Sequence, residues 1–430
     1  MPRHPQPRPS TRDVVAAFTG YFREHGHRLI PGVPLPRPDG DPVLFTTSGM
    51  HPLTPYLEGR PHPLGTRLAG VQRCLRTTDL DEVGDPTHLT VFEMLGSWSL
   101  GDYGMDRTLR FGHDLLTEGL GVRPELLHAT VFGGDDQLGP DEESLCTWQE
   151  LGVPVEPTRE DNWWSNGPTG PCGPDSEIFV WTGDGPPHGT PTSDARWVEV
   201  WNHVHMRYRR HPDRSLTPLP RHAVDTGMGL ERLVMVLGGH PGVHDIDLFE
   251  PWTLTLPRLW GLDGRELRIA ADHLRSAVAV IGDGVMPGNT GRGYVPRRLL
   301  RRVLTILRQQ PPGRQSPGGQ SPGGQSPGGR GPGRSLADLP VEPVEDTLDH
   351  FRPRLPGGPP SPTPRQVMDV LRTEERRFDE ALDRGRRVLS RQRFAGPLGD
   401  DDYRYLHDTH GLPRDLVDLL REPYGARPTR

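Results

Sequence analysis

Three short constellations in this 430-residue chain carry side chains whose types and spacing suit chemistry. Residues 224–232 read VDTGMGLER, placing Asp225, Gly227, Gly229 and Arg232 where a strand pattern hands over to a helix. Glycines let a ligand approach the backbone, and an Arg on the following helix can grip a phosphate or carboxylate. A tight turn followed by a surface ion pair has the same spelling. The segments QRCLR (72–76) and TVFEM (90–94) read as two strands, with Arg76 on one and Phe92 on the other. Together they make a clamp for a nucleotide, the ring stacking a base and the guanidinium meeting a phosphate. A half-buried hairpin with Arg outside and Phe inside looks the same. Third, DNWW (161–164) precedes TGPCGP (169–174) and Glu177. Paired tryptophans before a rigid loop suit either a pocket wall or a core.

Other chemistries are excluded by what is missing. All 50 basic residues are Arg, so Schiff-base and P-loop lysines are ruled out. GxxxxGK[ST] does not occur, and the 19 His lack metal-ligand spacing, so no zinc and no metal site are expected. Three Cys at wide spacing, with no signal-peptide pattern, argue against a disulfide framework and for the cytosol. No apolar stretch approaches the ~20 residues that span a bilayer, so no membrane partner is expected.

These groups must be held by a folded core. The chain has 33% hydrophobic residues, Gly 53 and Pro 50, against ~45–50% apolar residues in an average globular chain, so part of it must be loop or linker. Ser10 and Asp13 form a capping pair before Val14, Phe18 and Phe22 at helical spacing, which predicts a first amphipathic helix. Between about 40 and 240, short strand patterns outnumber helices, and their hairpin-like spacing predicts a mixed antiparallel sheet with helices packed on it. Residues 265–310 read as two helices, with Pro296 in the first turn of the second. QSPGG repeats three times within a Gly/Pro/Ser/Gln-rich tract at about 311–335, a linker composition, and a charged helix follows over roughly 365–393. The net charge of −7 is uneven: residues 1–264 hold 22 Arg and 36 acids, the remainder 28 Arg and 21 acids. The positive rear half permits a nucleic-acid partner there.

Taken in order, FTTSGM (45–50), RCLRTTDLDEVG (73–84), VFEMLGSWSLGDY (91–103), NWWSNGPTGPCGPDSEIF (162–179), EVWNHV (199–204), VDTGMGLERL (224–233), ADHLRSAVAVIGDGVMPGNTGRGYVPRRLLRR (271–302) and HDTHGLPRDL (407–416) resemble the alanyl-tRNA synthetase family of class II aminoacyl-tRNA synthetases. The match covers most of the chain outside the QSPGG tract and the ends. It implies an α+β fold: a class II antiparallel sheet with flanking helices over 1–250, which binds ATP and amino acid, then a helical acceptor-stem recognition domain over 251–430.

The resemblance also assigns roles. Arg76 and Arg232 hold the ATP phosphates and act in catalysis, with Phe92, Glu93 and Gly229 completing the ATP site. Asn202 and Asp225 receive the substrate ammonium, while Val204, Gly227 and Trp164 bound a pocket for a methyl group. Asn289, Arg297, Arg298, Arg301 and Asp408 face the acceptor stem of tRNA(Ala). ATP arrives with Mg²⁺. The family continues into editing and C-terminal domains that this sequence, ending at Arg430, is expected to lack; a monomer follows from that. The second-motif hairpin is short and lacks the family's Arg before Phe92. That departure keeps open a paralogue that activates alanine or another small amino acid and passes it to a non-tRNA acceptor.

Overall fold

The computed structural model describes residues 8–41, 43–159, 161–165, 167, 169–309, 334–351, 361–394, 396–410, 412 and 414–421. They divide into two compact units. One comprises Met1–Arg76 and Val91–Leu248; the other comprises Thr77–Thr90, Phe249–Arg352 and Gly358–Arg430. The insertion between the two strands of the predicted nucleotide clamp thus belongs to the second unit, and the chain crosses over at Leu248/Phe249. The linker tract at 311–335 lies outside the described residues apart from its last two.

The first unit opens with α1 (Thr11–Glu24). Ser10 and Asp13 close a reciprocal capping box at its start, and Val14, Phe18 and Phe22 are buried along one side. Burying three such side chains contributes about 1.5–3 kcal/mol each. The strands are β1 (Arg28–Ile30), β2 (Arg67–Leu75), β3 (Val91–Ser99), β4 (Leu127–Phe132), β5 (Val155–Thr158), β6 (Trp163–Ser165), β7 (Gly170–Trp181), β8 (Trp197–Arg210) and β9 (Leu216–Gly229). Helices α2 (Thr54–Leu57), α3 (Met105–Asp114), α4 (Glu142–Glu150) and α5 (Leu230–Gly238) lie among them in the chain. The sheet runs β1-β2-β3-β9-β8-β7-β4-β5, with β6 added beside β7. Its centre is antiparallel, and its two outermost pairs, β1/β2 and β4/β5, are parallel. The predicted mixed antiparallel sheet is therefore present.

One face of this sheet is covered by helices. Phe18 and Phe22 of α1 pack on Trp201 of β8, with ring centres 6.1 and 6.3 Å away. Glu231 of α5 accepts the backbone N–H of Glu93 on β3. Residues of opposite parity point to the other face, because side chains alternate along a strand.

The second unit is helical: α6 (Glu250–Trp260), α7 (Gly264–Gly282), α8 (Gly291–Gln309), α9 (Glu342–Phe351), α10 (Pro364–Leu389), α11 (Asp400–His410) and α12 (Arg414–Arg421). Thr363 and Gln366 form the capping box of α10. Arg275 of α7 is buried between the rings of Phe249 and Phe351, 4.8 and 4.6 Å from their centres. Asp272 beside it accepts both the N–H and the hydroxyl of Thr90, which secures the end of the 77–90 insertion. Pro296 departs from expectation. Helix α8 begins at Gly291, which takes φ +57°, so Pro296 is its sixth residue and not part of its first turn. There it forgoes the bond to the carbonyl four residues back.

Candidate active site

Strand register assembles the site. Across the face opposite α1, Leu68 on β2, Trp98 on β3, Asp225 on β9, Val204 on β8 and Asp175 on β7 fall in one row. The adjacent row is Gly70, Gly96, Gly227, Asn202, Glu177 and Thr130. Residues far apart in sequence become side-by-side neighbours at strand spacing, about 4.8 Å per step. Two of the glycines are required by packing: a Cβ on Gly96 would lie 2.4 Å from the Trp98 ring, and one on Gly227 would lie 2.7 Å from Met94 Sδ.

Asp225 is buried, and the indole N–H of Trp98 donates to its Oδ1 at 2.6 Å. Burial pushes its carboxyl up to about 7, with the Trp98 bond opposing the rise. No cation pairs with it among the described residues. Beside it in the row, Val204 is 2% exposed and shares a core cluster with Trp98, against which Trp164 of β6 packs half-buried.

Asn202 donates from Nδ2 to Asp175 Oδ2 at 2.6 Å and to Glu177 Oε1 at 3.3 Å. Its Oδ1 is buried without a partner among the described residues. Burial raises Asp175 to about 7. Burial and then the charge of Glu199 raise Glu177 to about 9. A set of buried acceptors facing no opposite charge favours a cationic ligand, because desolvation penalises an ionised carboxylate until a partner arrives.

Each of the two arginines is tethered on one side, and Arg76 falls just beyond the strand on which the sequence pattern sets it. Arg76, just past β2, donates from Nε to the Thr47 carbonyl at 3.2 Å and lies over the Phe92 ring at 5.1 Å. Arg232 on α5 pairs with Glu199 Oε2 at 2.6 Å. Gly229 sits opposite Met94 where β9 ends and α5 begins. Glu93 is not brought to this face. It occupies the opposite parity of β3 from Phe92, under α5, and is buried there. Trp98, Asp175 and Glu199 were not singled out from sequence; the signal available was the alternation of D-x-E in GPDSEIF and of W in GSWSL.

In the helical unit Arg297 is buried and forms two bonds to Glu374 on α10, Nε to Oε2 at 2.8 Å and Nη2 to Oε1 at 3.0 Å. It also donates to Asn289 Oδ1. Burial alone would raise Glu374, but bonds from Arg297 and Arg377 outweigh it and hold the carboxyl below its ordinary value. Arg297 therefore fixes the 287–291 loop and presents little surface of its own. Arg298 is two-fifths exposed with Asp81 4.0 Å away, Arg301 is half-buried, and Asp408 is exposed beside His407 at 2.9 Å. Arg302, in the same basic run, donates to the Leu80 carbonyl at 2.6 Å. Part of the positive charge of this half is thus spent internally.

A family profile described as class II (A) tRNA synthetases matches residues 13–310. Alanine–tRNA ligase of Treponema pallidum is 47% identical over 96% of this chain and 68% of its own length. The chain belongs to the alanyl-tRNA synthetase family. Alanine–tRNA ligases of Borrelia hermsii (35% identical, 95% of this chain, 68% of that protein) and Rubrobacter xylanophilus (37%, 96% and 47%) agree. The chain thus spans about half to two thirds of these family members. Membership makes it a class II synthetase-type ligase, a family that uses ATP with Mg²⁺. A solved apo histidyl-tRNA synthetase of S. aureus aligns over 57% of this chain and 72% of that one at 14% identity, TM-score 0.35. No helix among the described residues is long and apolar enough to cross a membrane.

Proposed function

We propose that this chain activates L-alanine with ATP and transfers it to the 3′ end of tRNA(Ala). The observation that carries the reading is the pair of acceptors on one sheet face, the buried Asp225 carboxylate and Asn202 Oδ1, the latter without a partner and neither with a cation beside it among the described residues. Asp225 supplies the opposite charge for alanine's ammonium and Asn202 a further acceptor. Val204 and Gly227 bound the side-chain space, and Trp164 adds a wall.

In the first step a carboxylate oxygen of alanine attacks the α-phosphorus of ATP, and the bond to the pyrophosphate oxygen breaks. Arg76 and Arg232 hold phosphate oxygens as charge moves onto the leaving pyrophosphate, where pre-set guanidinium groups do most good. Phe92 stacks the adenine. The donor set suits an Mg²⁺ ion carried on the phosphates: among the described residues no group of three His, Cys, Asp or Glu is placed to cage one, and Glu199 is the carboxylate beside Arg232. When bound, the ion neutralises phosphate charge.

In the second step a terminal hydroxyl of the tRNA attacks the adenylate carbonyl and AMP leaves. Asn289, held by Arg297, and the exposed Asp408 meet the acceptor stem, with Arg298 and Arg301 on its phosphates. The activity belongs in the cytoplasm. Pyrophosphate exchange with each amino acid in turn tests the first step: exchange should depend on alanine, and its absence with alanine overturns the reading. Charging of tRNA(Ala) with labelled alanine tests the second.

A further inference from the structure

A primary amide offers donors at one end and an acceptor at the other, so whichever way Asn202 is turned decides what it presents to a ligand. Its neighbours on β7 set that orientation. Both hydrogens of Nδ2 have acceptors there, Asp175 at 2.6 Å and Glu177 at 3.3 Å, which leaves Oδ1 as the end without a partner. Turned over, the amide would set its oxygen against two carboxyl groups. Of the two, Asp175 is the closer acceptor. Glu177, at 3.3 Å, is the longer contact, and burial and then the charge of Glu199 raise its carboxyl to about 9. Asp175 is itself fixed from its other side: its backbone N–H donates to the Asn162 carbonyl at 3.1 Å, and its side chain is 2% exposed.

The row arrangement gives this a functional sense. Asp175 shares its register row with Val204 and Asp225, and Asn202 occupies the next row on the same face. A carboxylate has been placed deep in the sheet where an apolar residue would be cheaper to bury, and its short bond goes to the one amide in the candidate ammonium site.

We propose that Asp175 is a positioning residue of the amino-acid site: by holding Asn202 Nδ2 toward β7, it keeps Asn202 Oδ1 available to accept an N–H of the substrate's ammonium. The inference rests on the reading of Asn202 and Asp225 as the ammonium acceptors. Asp175 itself need not touch the substrate.

Pyrophosphate exchange on the full chain, with alanine and ATP varied separately, tests it. Asp175→Ala should raise the KM for alanine about tenfold or more while kcat and the KM for ATP stay within twofold. Asp175→Asn, whose side-chain oxygen can accept the same N–H, should recover most of the loss. In an Asn202→Ala background, Asp175→Ala should change the alanine KM by less than twofold, because its effect passes through that amide. Should Asp175→Ala fail to fold, Asp175→Ser, too short to reach Asn202, carries the same expectation. The proposal is overturned if the alanine KM stays within twofold of the parent, if the KM values for alanine and ATP rise together, or if the Asp175 effect persists undiminished without Asn202. Failure of the parent reading looks different: wild-type protein would show no alanine-dependent exchange, and the Asp175 proposal would fall with it.

Discussion

The two units each carry a buried polar cluster, and the clusters are in opposite states. On the sheet, Asp225 and Asp175 are raised to about 7 by burial, and Asn202 Oδ1 has no partner among the described residues. In the helical unit, Asn289 Oδ1, Arg297 and Glu374 are bonded to one another, and Glu374 is held below its ordinary value. An incomplete cluster of acceptors is what the proposed ammonium site requires. A complete one holds the shape of a loop. The difference separates groups that bind from groups that build, a distinction that residue type alone does not make: Arg232 and Arg297 are both arginines beside a glutamate, but only Arg232 follows β9, the strand carrying the buried Asp225, which no cation pairs among the described residues.

If that contrast is right, the two clusters should break in different ways. Arg297→Ala removes two bonds from the buried Glu374 carboxylate, leaving it to Arg377, and should cost about 1.5–3 kcal/mol of stability, read by denaturant unfolding, with alanine-dependent exchange preserved in the protein that remains folded. Arg76→Ala or Arg232→Ala should do the reverse, lowering the exchange rate by about 10²-fold or more with unfolding within about 0.5 kcal/mol of the parent. Equal damage to both properties in either experiment would erase the distinction.

Smaller effects sharpen it. Asn289→Ala should lower kcat/KM for charging tRNA(Ala) by roughly 10- to 100-fold, the range for losing one good polar readout contact, while pyrophosphate exchange is unchanged. The smallest effect concerns pH. A carboxyl raised from 3.8 to about 7 binds its proton more tightly in the folded chain, so its contribution to stability is full below about pH 4 and is lost as pH rises through 7. Trp98 bonds directly to Asp225, and His203 and His205 lie on the neighbouring strand β8. Asp225→Asn cannot ionise and should therefore melt a few degrees higher than the parent at pH 8, with the gain vanishing near pH 4 by thermal unfolding. A loss of Tm at pH 8 would mean that the ionised Asp225 already has a compensating partner.

Much of the frame was legible in the sequence because its signals are local. The Ser10/Asp13 capping box and the strand-to-helix turn at Gly229 are each written within a few residues. Strand register across β3, β9, β8 and β7 is not local, and it is this that brings Trp98 and Asp175 beside Asp225 and Asn202. Glu93 was assigned by its place in a motif, but strand parity turns its side chain under α5. The basic run at 297–302 looked like a single surface because its acceptors, Glu374 and the Leu80 carbonyl, are far away in the chain. Pro296 was placed by a helix-start rule, but the turn at Gly288–Gly293 starts the helix earlier.

The central claim is that Asp225 and Asn202 form an ammonium site for alanine beside ATP-binding arginines. Its most direct test is alanine-dependent ATP–pyrophosphate exchange by the parent chain and by Asp225→Asn, which keeps the shape and the Trp98 contact while removing the charge. The account predicts exchange that is strongest with alanine in the parent and reduced at least 10³-fold in the folded variant, about 4 kcal/mol for losing the ammonium's counter-charge in a buried site. Exchange in Asp225→Asn within tenfold of the parent, or none with alanine in either protein, would contradict it.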